Sequence, residues 1–169
     1  APVEHHMITI QKLQKILDNV INTLASIVEV KDPYTSGHQK RVALLAVAMA
    51  RELRMDEEKI ELLNTAALIH DIGKISLPAS VLTRPGRLSE IEYDMIKTHP
   101  KLGYDMISHI EFPKPVTDII LQHHERIDGS GYPQGLKGDK IIPEAKIIAV
   151  ADVVEAMSSH RPYRPALGI

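Results

Sequence analysis

Four histidines recur along the 169-residue chain at His38, His70, His99 and His123, at intervals of 32, 29 and 24 residues, and Asp152 follows 28 residues after His124. Each interval is about one helix plus one connection. In a helical bundle, successive helices can then each deliver one ligand to a common point, as helical carboxylate metal sites do. Any one of these histidines alone has a plainer reading, as a hydrogen-bonded surface or core residue, so the spacing carries weight only as a set. His109 and His160 have no supporting context. His5-His6-Met7 resembles the end of a purification tag, so residues 1–7 are read as a tag remnant or linker and excluded from site reasoning.

Composition narrows the classes. The net charge is −2 and aromatic residues make up 4%, which argues against a sequence-independent nucleic-acid binder and against base-stacking platforms. Cysteine is absent, which removes disulfides, zinc–thiolate sites and thiol catalysis together. Hydrophobic residues at 44% and charged residues at 25% describe a folded globular chain of one domain. The apolar run Ala43 to Ala50 is far short of a membrane span.

The patterning predicts an all-α fold. Ile10, Leu13, Leu17, Val20, Leu24 and Ile27 follow a 3-4-3-4-3 spacing that marks an N-terminal helix over 8–31. The stripe fits a core-facing helix of a bundle; the same spacing also suits pairing with a second copy or transmitting a signal from upstream. Sustained coiled coils usually need three or four heptads, which favours the core-facing reading. Lys31-Asp32-Pro33 ends this helix. A second helix carries Val42, Leu45, Met49 and Leu53 on one face. Asp56 is a plausible N-cap for a third, which carries Ile60, Leu63 and Ala67 toward His70, with Gly73 as its stop. Pro78 to Gly86 reads as loop. Ser89-Glu90-Ile91-Glu92 fits a capping box whose helix runs on toward His99-Pro100. Helices over roughly Val116 to Glu125 and Glu144 to Met157 flank a glycine-rich loop, Asp128 to Gly138.

Chemistry concentrates at three places. His70-Asp71 would sit in the last turn of a helix, where free carbonyls favour a cation, and a carboxylate can bridge two metals. Imidazole plus carboxylate suits iron, manganese, nickel or zinc. Lys74 either meets an anionic substrate or is a solvated lysine near a helix C-terminus. Adjacent histidines cannot share one helix face, so at least one of His123 and His124 is expected to point at the site. Glu125 is not a metalloprotease base, since no His-Glu-x-x-His pattern occurs. Asp152 interrupts an apolar run, Ile147 to Val154, which is costly unless the acid binds a cation or pairs with Lys146 or Arg161.

His70-Asp71-Ile72-Gly73-Lys74 together with Asp128-Gly129-Ser130-Gly131-Tyr132-Pro133 resembles the HD-GYP branch of the HD-domain phosphohydrolases. The resemblance runs from about Asp32 to Arg164. It includes Thr35-Ser36-Gly37-His38, Lys97-Thr98-His99-Pro100, His123-His124-Glu125, Val150-Ala151-Asp152 and His160-Arg161-Pro162-Tyr163-Arg164. It implies an HD-domain helical bundle over 32–169 with a metal centre in its core, and family domains continue for further helices beyond the position of Ile169. The implied activity is a phosphodiesterase that hydrolyses the bacterial second messenger cyclic di-GMP to pGpG or GMP by metal-activated hydroxide attack. The ligand role carries onto His38, His70, Asp71, His99, His123, His124 and Asp152, with Asp71 bridging. Lys74 is similar to the family lysine beside the scissile phosphate, and Arg161 and Arg164 fall in the substrate-side segment. Asp71 and Lys74 are the implied catalytic pair. Gly131, Tyr132 and Pro133 form the signature loop, which shapes the site or contacts GGDEF domains. Three-metal members carry a Glu where this chain has Tyr34, which points to two divalent ions, Fe or Mn. The resemblance further implies a bacterial cytoplasmic location, fusion to an upstream sensor or receiver domain, and no nucleic-acid polymer as partner. Competing readings are an HD-domain phosphohydrolase acting on another cyclic or linear nucleotide, and a non-catalytic module that contacts GGDEF domains.

Overall fold

The computed structural model describes residues 2–32 and 36–158. Within these residues eight α-helices follow one another: α1 Pro2–Lys31, α2 His38–Glu52, α3 Glu57–Ile69, α4 Ala79–Leu82, α5 Glu90–Ile96, α6 His99–Ile107, α7 Lys114–Gln122 and α8 Pro143–Ser158. Two short 3-10 turns among the described residues, Ile72–Ser76 and Gly138–Lys140, lie between helices. No strand occurs among the described residues, so the all-α expectation holds. Among them, too, no helix is long and apolar enough to cross a membrane.

The core is aliphatic and light. Helix α2 packs against α3 and α8, α3 also against α7, and α6 against α7 and the 3-10 turn at Ile72. Small residues make the close contacts: Ala43, Ala46 and Ala50 of α2 meet Ala66 and Ala67 of α3 in one buried cluster with Val42, Leu63, Ile119, Ile120 and Ile148. The α2 face is therefore rotated from the expected one. Leu45 and Met49 lie at its margin and Leu53 is 64% exposed, because only alanine permits the helices to approach this closely.

Three other expectations are corrected. Most of the stripe on α1 does not face the core: Ile10, Leu13, Leu17, Val20 and Ile27 are exposed, Leu24 alone of the stripe is half-buried against it, and the residues buried against the domain are Ile21, Ala25 and Val28. Residues 6–20 are exposed throughout, since this half of α1 extends past the body it would pack on. His99-Pro100 begins a helix instead of ending one. The capping box is present, with Ser89 Oγ accepting from Glu92 N and the Glu92 carboxylate accepting from Ser89 N, but α5 stops at Ile96. Pro100 then sits in the first turn of α6, where its missing N–H has no intrahelical partner to lose. Finally, the 78–86 segment holds one helical turn, α4, after Pro78. Asp56 is the N-cap residue of α3, though its side chain makes no capping hydrogen bond.

Candidate metal centre

The chemistry-bearing residues fall at helix ends that converge. His38 is the first residue of α2 and His99 the first of α6, while His70 and His123 immediately follow α3 and α7. Asp152 lies on α8, which packs against α2. His38, His70, Asp71, His99 and His123 are all buried. Ring centroids step across the site from His38 to His70 (5.6 Å), His70 to His123 (5.1 Å), His123 to His99 (5.2 Å) and His99 to His124 (5.0 Å). Both adjacent histidines reach the cluster, since the His123 and His124 rings lie 5.2 Å and 5.0 Å from the ring of His99.

Two donor sets result. Asp71, His99, His123 and His124 each present one ligand atom within 4.8 Å of the others, and so do His38, His70 and Asp71. Asp71 belongs to both. Its Oδ1 is 3.1 Å from His99 Nε2 and its Oδ2 is 3.6 Å from His70 Nε2, so one oxygen faces each set. Asp152 Oδ1 lies 3.1 Å from His38 Nε2. Its nearest partner is thus an imidazole of the cluster.

Hydrogen bonding fixes what these rings can do. The Nδ1 atoms of His70, His99 and His123 each donate to the carbonyl three residues earlier: Ala67 at 2.6 Å, Ile96 at 2.8 Å and Ile120 at 2.7 Å. With Nδ1 protonated, each neutral ring has its lone pair on Nε2, aimed inward. His70 Nε2 is buried with no hydrogen-bond partner, and the Nε2 atoms of His99 and His123 face one another at 3.2 Å. Two lone pairs at that separation repel unless a cation or proton lies between them. A buried acceptor without a donor is costly in a folded chain. Orphaned nitrogen donors beside a shared carboxylate suit a divalent transition-metal ion, so the residues fit such a group.

The local field points the same way. Burial, with neighbouring imidazoles, drives His123 well below its usual range and His124 to about 3, and burial lowers His70. These rings are neutral near pH 7 and need shed no proton to ligate. Burial alone would raise Asp71, but the Lys74 ammonium beside it holds it well below the carboxylate range. Burial likewise opposes ionisation of Asp152, and the His38 hydrogen bond overrides it, to about 2. Burial would lower Lys74; Asp71 and Asp32 carry it upward instead. Lys74 is therefore not a solvated lysine. It is largely buried, with Nζ 2.8 Å from Asp71 Oδ2 and 3.4 Å from Asp32 Oδ2.

The glycine-rich loop braces His124. Tyr132 stacks on its ring at 4.8 Å and donates its backbone N–H to the His124 carbonyl at 3.2 Å. A Cβ on Gly131 would lie 2.3 Å from Arg126 N and 2.5 Å from both Glu125 Cα and the His124 carbonyl, so only glycine fits. The Tyr132–Pro133 bond is cis. Glu125, buried, accepts from Gln134 N at 2.7 Å and Leu136 N at 2.8 Å, which ties the loop down. A cleft of ≈480 Å³ opens over the cluster, lined by Tyr93, Lys97, His124, Arg126, Tyr132 and Asp152. Another cavity of ≈530 Å³, lined by Ile127, Ile141, Ala149 and Val150, holds none of the clustered imidazoles.

Sequence reasoning missed three participants. Asp32 was read only as a helix end, yet it pairs with Lys74. Glu125 enters the sequence reading in the segment His123-His124-Glu125 and is excluded as a metalloprotease base, but its anchoring of the glycine-rich loop is not visible there. Glu155 binds His38 Nδ1, and its signal was available: like Asp152, it is an acid in an apolar helix, one turn later. Tyr34, Arg161 and Arg164 lie outside the described residues, as does His160.

An HD domain family model matches residues 22–169. The chain is 44% identical over 148 residues to the cyclic di-GMP phosphodiesterase response regulator RpfG of Xanthomonas campestris pv. campestris, an alignment that covers 86% of this chain and 39% of that protein. It is 37% identical over 153 residues to the 3'3'-cGAMP-specific phosphodiesterase 3 of Vibrio cholerae, covering 90% of this chain and 33% of the relative. The solved structure of Bd1817, an HDG"Y"P protein from Bdellovibrio bacteriovorus, matches with a TM-score of 0.64 at 30% identity, over 71% of this chain and 40% of that one. The chain thus spans less than half the length of these relatives.

Proposed function

The chain belongs to the HD domain family, and on that premise we propose that it is a metal-dependent phosphodiesterase of the HD-GYP branch acting on cyclic di-GMP. The observation that carries the reading is the pair of inward-facing donor sets that share Asp71, one carboxylate oxygen toward each. The ligands are His38, His70, Asp71, His99, His123, His124 and Asp152, holding two divalent ions. Imidazole and carboxylate donors without thiolate suit iron, manganese, nickel or zinc, and the resemblance to the HD-GYP branch narrows these to Fe or Mn. Divalent ions held there supply Lewis acidity, acidifying water and offsetting phosphoryl charge.

The chain's own residues do the rest. The Nδ1 hydrogen bonds fix ring orientation before substrate arrives, so no reorganisation is needed during the reaction. Lys74 stays charged between two carboxylates and presents an ammonium to the phosphoryl oxygens. Tyr132 and Gly131 hold His124 in place. The cleft over the cluster is where the dinucleotide would bind; Arg161 and Arg164, to which the resemblance gives a substrate-side role, lie outside the described residues. The names of the similar proteins support a cyclic dinucleotide as substrate, and the Vibrio cholerae relative keeps 3'3'-cGAMP as the second reading. A complete ligand set argues against a non-catalytic module that only contacts GGDEF domains through the signature loop. The exposed stripe of α1, with heptad spacing, suits a parallel pair with a second copy, which light scattering of wild type and Leu13→Asp checks.

Turnover of cyclic di-GMP, 3'3'-cGAMP and a linear dinucleotide by the Mn- or Fe-loaded protein tests the reading. Cyclic di-GMP hydrolysed fastest is the expected result. Loaded protein with no turnover of any of the three overturns it.

A further inference from the structure

One imidazole of the cluster is held differently from the rest. His70, His99 and His123 anchor Nδ1 on the backbone carbonyl three residues before them. His38, the first residue of α2, departs from this pattern. Gly37 before it is left-handed, at φ 68°. The partner of His38 Nδ1 comes instead from across the bundle: the carboxylate of Glu155 on α8, 117 residues away. Glu155 is 5% exposed. Its second oxygen takes the Nε–H of Arg41 at 2.6 Å, and Arg41 Nη1 donates to the Ser36 carbonyl at 3.1 Å. A Cβ on Gly37 would lie 2.7 Å from that Nη1, so the glycine admits both the turn and the guanidinium.

Helix α8 therefore grips both nitrogens of one ring. Asp152 faces Nε2, and Glu155, one turn later on the same face, holds Nδ1. A carboxylate acceptor differs from a carbonyl in two ways. It makes a hydrogen bond roughly twice as strong, and it pushes electron density toward the far nitrogen, raising the basicity of the ligand. A buried carboxylate needs a counter-charge, which Arg41 supplies from the solvent side at 49% side-chain exposure.

We propose that Glu155 is a positioning residue that acts through His38, and that its carboxylate sets metal affinity selectively at the donor set His38–His70–Asp71. The proposal rests on the reading that the cluster holds divalent ions. Arg41 balances the charge of Glu155 and does not itself define the ligand. A purely structural role, tying α2 to α8, would make Glu155 and Arg41 equivalent.

The experiment is a Mn²⁺ titration of the whole chain, read by bound-metal content and by electron paramagnetic resonance. Wild type, Glu155→Gln and Arg41→Gln are compared, with melting of the metal-free proteins as the folding control. Glu155→Gln keeps the shape and an acceptor oxygen but loses the charge. The expected result is a loss of about 10- to 100-fold in affinity at one of two sites, with the other unchanged. Its signature is an isolated Mn²⁺ spectrum at concentrations where wild type shows a coupled pair. Arg41→Gln stays within a few-fold of wild type at both sites. The assignment is overturned if Glu155→Gln loads two ions as wild type does, if both sites weaken equally, or if the two variants behave alike. Failure of wild type to bind two ions would overturn the underlying reading itself, a result distinct from an unaffected variant.

Discussion

Replacing Gly73 with alanine tests the packing that holds the two donor sets together. An ideal Cβ at this position lies 1.9 Å from the His99 carbonyl oxygen, 2.6 Å from Gly103 N and 2.9 Å from His99 C. Carbon–oxygen contacts sit near about 3.3 Å at closest. The 3-10 turn and α6 must therefore separate by about 1.4 Å along that direction. Every obstructing atom is backbone, so no rotamer change relieves the overlap. Overpacking a rigid core costs about 1–3 kcal/mol, and the all-backbone clash places Gly73→Ala near the upper end, about 3 kcal/mol. For a domain of this size that lowers the melting midpoint by about 6–12 °C. The same displacement separates Asp71 Oδ1 from His99 Nε2, now 3.1 Å apart, so metal affinity falls along with stability. Gly103→Ala is the graded comparison: its Cβ meets Ile120 Cγ2, Gly73 N and Ile72 Cγ2 at 3.1–3.2 Å, and about 1 kcal/mol is expected. Urea melts with unchanged m-values measure both. A Gly73→Ala protein within about 0.5 kcal/mol of wild type, still loading metal fully, would refute the close-approach argument.

Asp71→Ala removes the one carboxylate common to both donor sets, so turnover and loading at both sites should vanish together in metal analysis and assay; retention of phosphodiesterase activity would reject the bridging role. Gly131→Ala should push the loop off Glu125 and Arg126 and free the Tyr132 ring from His124, weakening metal at that set by about tenfold in a Mn²⁺ titration. For the metal-free protein, His70, His123 and His124 have folded pKa values below the unfolded 6.5, so the unfolded state binds more protons as pH falls past 6.5. Stability then drops with falling pH, by about 1.4 kcal/mol per pH unit for each histidine at the limit. His38, raised, has the opposite sign: it stabilises below 6.5 and loses that contribution as pH climbs through its folded value. Urea midpoints of apo-protein between pH 7 and 5 should fall; midpoints that rise on acidification would contradict the neutral assignment of the three rings.

What could be read in the sequence was the chemistry. His38, His70, Asp71, His99, His123, His124 and Asp152 stand out by residue type and interval, and folding gathers them. The surroundings were harder to see. The α1 stripe has the same period whether it meets a core or a partner, and only the reach of the helix past the domain body decides which face is buried. Proline after His99 ends one helix and opens another with equal ease, so its sense depends on α7 receiving α6. Gly73 looked like a helix stop because its true neighbour, the His99 carbonyl, is a tertiary contact. Glu155 meets a ring 117 residues away, a pairing no local pattern encodes.

A crystal of Mn-loaded protein, with anomalous difference density collected at the manganese edge, tests the central claim most directly. Two peaks are predicted, one beside His38 and His70 and one among His99, His123 and His124, with the Asp71 carboxylate giving an oxygen to each. A single peak, no peak, or Asp71 left turned to Lys74 alone would contradict a shared two-ion centre.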